Sequence, residues 1–173
     1  MVTEFRDDVC GLVSWINASG KSITFIDGEC RSGKSWLATA LSQFGIAPLD
    51  LDTFIERDTG YYVGALDTAA ALRELGKKRS KSTAISCICA RDVAVALRIS
   101  EANFVYVIRM NELGLEEYSP AHDVERDGEA GIDPAFLPPD GTASKEIFDY
   151  HARVKPISRA DVVFRNTVPD VSF

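Results

Sequence analysis

Cysteine and histidine are scarce in this chain, and their spacing does not suit a metal. Among 173 residues there are four cysteines and two histidines. Cys10, Cys30, Cys87 and Cys89 form no C-x-x-C pair, which argues against a zinc site. Cys87 and Cys89 lie in an apolar run and read as small core residues, while Cys30 lies in a glycine-flanked loop and reads as inert. Long apolar runs are also lacking: none approaches the ~20 residues of a membrane span. Glu4, Asp7 and Asp8 occupy the start, where a secretory signal would be basic and then apolar, so a cytosolic protein is expected. Positive charge is in deficit, with 19 Lys and Arg against 26 Asp and Glu and a net charge of −7. That balance argues against nucleic acid as a partner, because non-specific binding depends on basic surface. The one basic cluster, Lys77-Lys78-Arg79-Ser80-Lys81, precedes a predicted strand. In a parallel sheet that end lies opposite the active face, so the cluster reads as a solvated loop. Asn-Lys-x-Asp occurs nowhere, which leaves guanine-specific recognition without support.

What is present is one stretch with a clear chemistry: Gly28-Glu29-Cys30-Arg31-Ser32-Gly33-Lys34-Ser35. The pattern G-x-x-x-x-G-K-S is a phosphate-binding loop. Its glycines let successive backbone N–H groups curl around phosphate oxygens, and the following helix adds its positive end. Lys34 is expected to reach the β- and γ-phosphates of ATP, and the Ser35 hydroxyl to ligate Mg2+. Context supports the motif. Ser22–Asp27 is a short β-forming run, and Trp36, Leu37, Ala40 and Leu41 follow at helical spacing up to Gly45. The candidate nucleotide-binding set is therefore Gly28, Arg31, Ser32, Gly33, Lys34, Ser35 and Trp36.

The rest of the chain alternates helix and strand. Residues 4–18 read as a helix with Val9, Leu12, Val13 and Ile16 on one face, and Asp7 and Asp8 in its first turn. A second strand is expected from Ile46 to about Asp50–Asp52. A carboxylate at its end faces the same crevice as the phosphate loop. Asp52 is the candidate general base for an attacking hydroxyl, and Asp50 can hold Mg2+ through water; one of the two can instead cap the next turn. Residues 53–65, with Phe54, Arg57, Tyr61 and Tyr62, are placed to form an acceptor pocket or simply to pack. Asp67 caps a helix that stops at Gly76. Thr83–Cys89 is a third strand without an acid of its own, followed by Arg91 and Asp92, either of which can face the site. Asn103–Ile108 is a fourth strand with Arg109 at its end. Residues 110–143 are acidic and proline-rich, with Arg126 as their one lysine or arginine, and read as a lid or a solvated irregular insertion. Ser144–Val154 is a helix, and Ala160–Phe164 a fifth strand. The pattern predicts one three-layer α/β domain over 1–173, with a roughly five-stranded parallel sheet flanked by helices.

Several of these residues also resemble a known family. Ile26-Asp27-Gly28 leading into Gly33-Lys34-Ser35, then Leu49-Asp50-Leu51-Asp52-Thr53-Phe54, then Tyr150, Pro156 and Ala160-Asp161-Val162-Val163, look like the uridine kinase-like branch of the phosphate-loop (P-loop) NTPases. The last run is also similar to dephospho-coenzyme A kinase. The resemblance implies that Asp52 is the base for the acceptor hydroxyl, and that Asn166 and Thr167, after the last strand, contact adenine. Arginines of the lid would clamp phosphate, and this chain offers Arg91, Arg109 and Arg126. The expected activity is transfer of the γ-phosphoryl group of Mg·ATP to a hydroxyl of a small metabolite such as a nucleoside or sugar. Two other readings stay open: a nucleotide-binding regulator that transfers nothing, and a kinase of polynucleotide ends. The expected partner is a small alcohol, with no membrane, and a homodimer is left open.

Overall fold

The computed structural model describes residues 4–56, 60–78, 81–128, 132 and 137–167. The elements run β1 (Glu4–Arg6), α1 (Val9–Ser19), β2 (Ile23–Asp27), α2 (Lys34–Ser42), β3 (Ala47–Asp50), α3 (Thr68–Gly76), β4 (Thr83–Ser86), α4 (Ala90–Ala96), β5 (Asn103–Arg109), α5 (Pro120–Asp127), α6 (Ala143–Val154) and β6 (Val162–Asn166). One sheet holds all six strands in the order β1-β6-β5-β2-β4-β3, and every ladder is parallel.

The strands alternate their faces as a pleated sheet covered on both sides requires. Ile26, Ala84, Val105 and Val107 pack against Leu12, Val13 and Ile16 of α1 and Leu37, Ala38 and Leu41 of α2. Their neighbours Phe25 and Ile85 turn the other way, onto Ala71 of α3 and Val93, Ala94 and Leu97 of α4. Phe25 stacks on Phe104 of the adjoining strand, with ring centroids 5.5 Å apart. The result is the expected three-layer arrangement.

From β2 the chain runs out to the edge strand β3 and returns through β4 to pair with β2. It then crosses to β5 on the other side of β2. The winding therefore reverses at β2, and a crevice opens outside the strand ends at such a point. The phosphate loop leaves the carboxyl end of that strand.

Several boundaries differ from the sequence reading. Residues 4–18 are not one helix. Glu4–Arg6 form a parallel edge strand on β6, which makes the strand count six rather than five. Asp8 lies outside the helix as its cap, its carboxylate accepting the N–H of Gly11. The third strand stops at Ser86, three residues short of the expected Cys89, which takes φ 54° and caps α4. The second strand stops at Asp50, and Leu51–Phe54 is a 3₁₀ turn. Within 110–143 the chain forms a tight turn and a helix, α5. Ser119 caps that helix by accepting the N–H of His122, and Pro120 occupies its first turn.

Candidate functional site

The phosphate loop owes its shape to three backbone positions with positive φ. Gly28 has φ 145°, Arg31 φ 65° and Gly33 φ 97°. Two of these admit no side chain. A Cβ on Gly28 would stand 2.7 Å from the Val107 carbonyl oxygen, and one on Gly33 would stand 2.0 Å from Nδ2 of Asn166. The loop is thus pressed onto the sheet from above, with β5 and β6 as its floor. Asn166 is buried, and its amide donates to the Ser32 carbonyl at 2.9 Å. It acts on the loop from beneath, which differs from the base contact that the resemblance implies for it. Thr167, just beyond, is exposed.

Beneath the root of the loop lies Asp27, 5 % exposed. One carboxylate oxygen accepts the Gly28 N–H at 2.9 Å; the other accepts the Tyr150 hydroxyl at 2.6 Å and the Ala90 N–H at 3.2 Å. Burial pushes its pKa up, and the bonds from Tyr150 and Gly28 oppose that. Asp27 therefore ties β2, the start of α4 and α6 to one point under the loop.

Inside the curl, the buried Ser32 hydroxyl has no hydrogen-bond partner among the described residues. The Lys34 side chain folds back over the loop, and its ammonium donates to the Glu29 carbonyl at 2.5 Å. Ser35 is exposed on the first turn of α2, and its hydroxyl donates to Asp50 Oδ2 at 3.2 Å. Trp36 is 38 % exposed, facing away from the buried stripe of that helix. A buried spare hydroxyl, a cation at the loop and a hydroxyl–carboxylate pair fit the phosphates and divalent cation of a nucleotide.

Beside the third strand, which carries no acid, the edge strand ends in one. β4 ends at Ser86, which pairs in register with Ile26 on one side and Asp50 on the other. Asp50 thus ends β3 level with the root of the loop and reaches Ser35. Asp50 also caps the 3₁₀ turn, accepting the N–H of Asp52 at 3.1 Å. Of the roles the sequence set against each other, the capping of the turn is the one seen here, and it falls to Asp50.

Asp52 sits in the first turn of that 3₁₀ element and is exposed. Its Oδ1 accepts the Tyr62 hydroxyl at 2.7 Å. Burial, then the nearby Cys87 and Asp52, push the Tyr62 phenol up, so it stays a donor. Glu146 of α6 holds the Tyr62 loop, its carboxylate accepting the N–H groups of Tyr62 and Val63. Of the aromatics read as pocket or packing, Phe54 and Tyr62 pack in the core, and Tyr61 is 54 % exposed. Arg57 lies outside the described residues.

The arginines are placed otherwise than expected. Arg91 lies over the Phe104 ring at 4.2 Å and donates to the Arg159 carbonyl, and Asp92 pairs with Arg153 at 2.6 Å. Both sit on the first turn of α4, and their side chains turn to Phe104 and to residues 153–159. Arg109 does reach the loop. Its guanidinium donates to the Arg31 carbonyl at 3.0 Å and to Glu117 at 3.2 Å. Arg126 is exposed at the end of α5, between Asp123 and Asp127. On the same side the Ser119 hydroxyl donates to the Glu29 carboxylate, so the cap of α5 also touches the loop.

Ser119 carries a local signal, since Ser-Pro before a helix is a start pattern. Nothing local marks Tyr62 as the partner of Asp52, Tyr150 as the partner of Asp27 or Glu146 as the holder of the Tyr62 loop. Those pairs are 10 to 123 residues apart and form only when the sheet closes. No protein-family model matches this chain, and no curated protein matches it. No described helix is long and apolar enough to cross a membrane.

Proposed function

We propose that this protein is an ATP-dependent phosphotransferase acting on a hydroxyl of a small metabolite. The observation that carries the reading is the meeting of three things at one strand end. They are a phosphate loop held in positive-φ geometry, the Ser35–Asp50 pair, and the exposed carboxylate of Asp52. Bound Mg·ATP supplies the phosphoryl group, whose bond to the β-phosphate oxygen breaks as one to the acceptor oxygen forms. The loop amides, the Ser32 hydroxyl and Lys34 hold phosphate oxygens, and Ser35 with Asp50 holds the cation. Asp52 has one oxygen engaged by Tyr62. Its Oδ2 takes the proton from the acceptor hydroxyl, and Oδ1 keeps the carboxylate in place. Thr167 lies after β6, where the family places adenine, and Arg109 neutralises charge beside the loop. Arg126 is assigned to the lid.

The test is turnover of Mg·ATP against a panel of nucleosides, sugars and other small alcohols, run beside Asp52→Asn. One acceptor should be phosphorylated. The Asn variant should lose on the order of a hundredfold or more in rate while keeping its nucleotide affinity. One observation favours a regulator instead: Arg109 and Arg126 are both engaged by carboxylates of 116–127. Tight nucleotide binding, no transfer to any acceptor and indifference to Asp52→Asn would establish that second reading.

A further inference from the structure

Both histidines of the chain meet at one tyrosine hydroxyl. Tyr106 of β5 is buried, and its oxygen lies 3.1 Å from Nε2 of His122 and 3.0 Å from Nε2 of His151. The other nitrogen of each ring faces a carboxylate. His151 Nδ1 is 3.0 Å from Glu125, and His122 Nδ1 is 2.5 Å from Glu116. The five side chains form one line, Glu116–His122–Tyr106–His151–Glu125, which runs from an exposed end at Glu116 to a buried end at Glu125.

The line has four contacts, and each hydrogen bond needs one proton. With both carboxylates ionised and both imidazoles neutral, the side chains supply three: one from each ring and one from the phenol. One contact must then set two lone pairs against each other. A fourth proton satisfies all four contacts wherever it resides in the line. Glu125 is not its place, because that carboxylate also accepts the N–H groups of Ile157 and Ser158 and the Ser158 hydroxyl. Those bonds, with His151, outweigh burial and hold it below the usual carboxylate range. That leaves the two rings and the outer end of the line, and His122 is the ring that solvent reaches, His151 being 2 % exposed.

We propose that this line is a proton-operated latch on α5, closed when it holds four protons and open at its outer end when it holds three. Imidazole as a side chain ordinarily changes charge between about pH 5 and 8, which sets the range over which the latch is to be tested. Tyr106 is also faced by Asp27 of β2, Glu29 of the phosphate loop and Tyr150 of α6, and the Lys34 ammonium acts on Asp27 in turn. The latch reaches the phosphate loop in two steps. The N–H of His122 bonds the Ser119 hydroxyl, which itself donates to Glu29. The inference stands on proton counting and holds whether or not the protein transfers phosphate.

The experiment is a long-range nitrogen–proton correlation of the two imidazoles in the full-length protein from pH 9 to 5. Amide exchange of α5 is recorded in parallel and corrected for intrinsic rates. The expected result is one proton taken up by the pair rather than two. On the high-pH side of that step, α5 exchange should be about tenfold faster, as the loss of one charge-assisted hydrogen bond would give. In Tyr106→Phe two contacts remain for two ring protons, and the exchange difference should vanish. His122→Gln, at a partly exposed position, should remove it as well, and serves if the buried variant does not fold. Two independent one-proton titrations, no titration at all, or α5 exchange that does not follow the step would each overturn the latch.

Discussion

On the β3 side of the phosphate loop the carboxylates stand in solvent. Asp52 is exposed and Asp50 half-buried, and each makes only one or two polar contacts. On the β5 and β6 side the polar groups are sealed in. Asn166 and His151 are 2 % exposed and Glu125 5 %, and Glu125 accepts four hydrogen bonds. Asp27, at the seam, belongs to the sealed kind. The difference teaches which parts are built to change partners. A carboxylate that must exchange a proton or a cation needs an open lone pair and little desolvation. A group that sets the shape of a loop is worth more when buried and fully bonded.

The comparison can be broken at several points, of unequal size. Lys34→Ala touches the centre, where both sides converge. If the phosphotransferase reading holds, transfer should fall by at least about a thousandfold, as removal of a main electrostatic group at a phosphoryl site does. Initial-rate kinetics on the identified acceptor measure this, and an unchanged rate would remove the loop from the chemistry. Next in size is Gly33→Ala on the sealed side. It forces a Cβ into the space of a buried amide at φ 97°, so folding stability should drop by about 2–3 kcal/mol in denaturant titration.

A direct contest between the sides comes from two single changes. Asn166→Ala leaves the Ser32 carbonyl short of a donor in the interior and should cost about 1–3 kcal/mol. Tyr62→Phe removes one hydroxyl from an exposed carboxylate and should cost under about 1 kcal/mol in the same titration. Equal costs would mean that burial does not divide the two sides as described.

The smallest effect is one of pH. The folded state holds the Glu125 carboxyl below its ordinary value of 4.5. It therefore contributes stability that is present above that value and lost as pH falls through the lower folded value. Asp27, raised from 3.8 by burial, works with the opposite sign over its own range. Comparing wild type with Glu125→Gln cancels the Asp27 contribution. The gap in melting temperature between the two should narrow as pH is lowered from 6 to 3, and a constant gap would show that Glu125 is not held as an anion.

Much of the centre was legible in the chain itself. Strand, glycine loop and helix over 22–45 follow from local rules, and so does the pairing of Lys34 and Ser35 with one loop. What escaped did so for two physical reasons. Short elements carry little periodicity: three residues, Glu4–Arg6, make a strand only because β6 offers a free edge. In the same way, Asp50 ends its strand two residues before Asp52 because its own carboxylate caps the turn. Long-range polar pairs leave no local trace. The Tyr150–Asp27, Glu146–Tyr62 and Asn166–Ser32 contacts connect residues 84 or more apart, so composition and spacing are silent on them. Arg91 was misassigned for a related reason. Its position beside a strand end is right, but the helix phase points it to Phe104.

The place of β6 in the sheet also bears on how the protein is made. That strand lies between β1 and β5 and is the partner of β1 among the described strands, so β1 waits during synthesis for the last strand described. Asn166, which braces the phosphate loop, arrives with it. The loop is therefore encoded before the residue that braces it, and a nascent chain that stopped short of β6 would carry the whole loop motif without the support that shapes it.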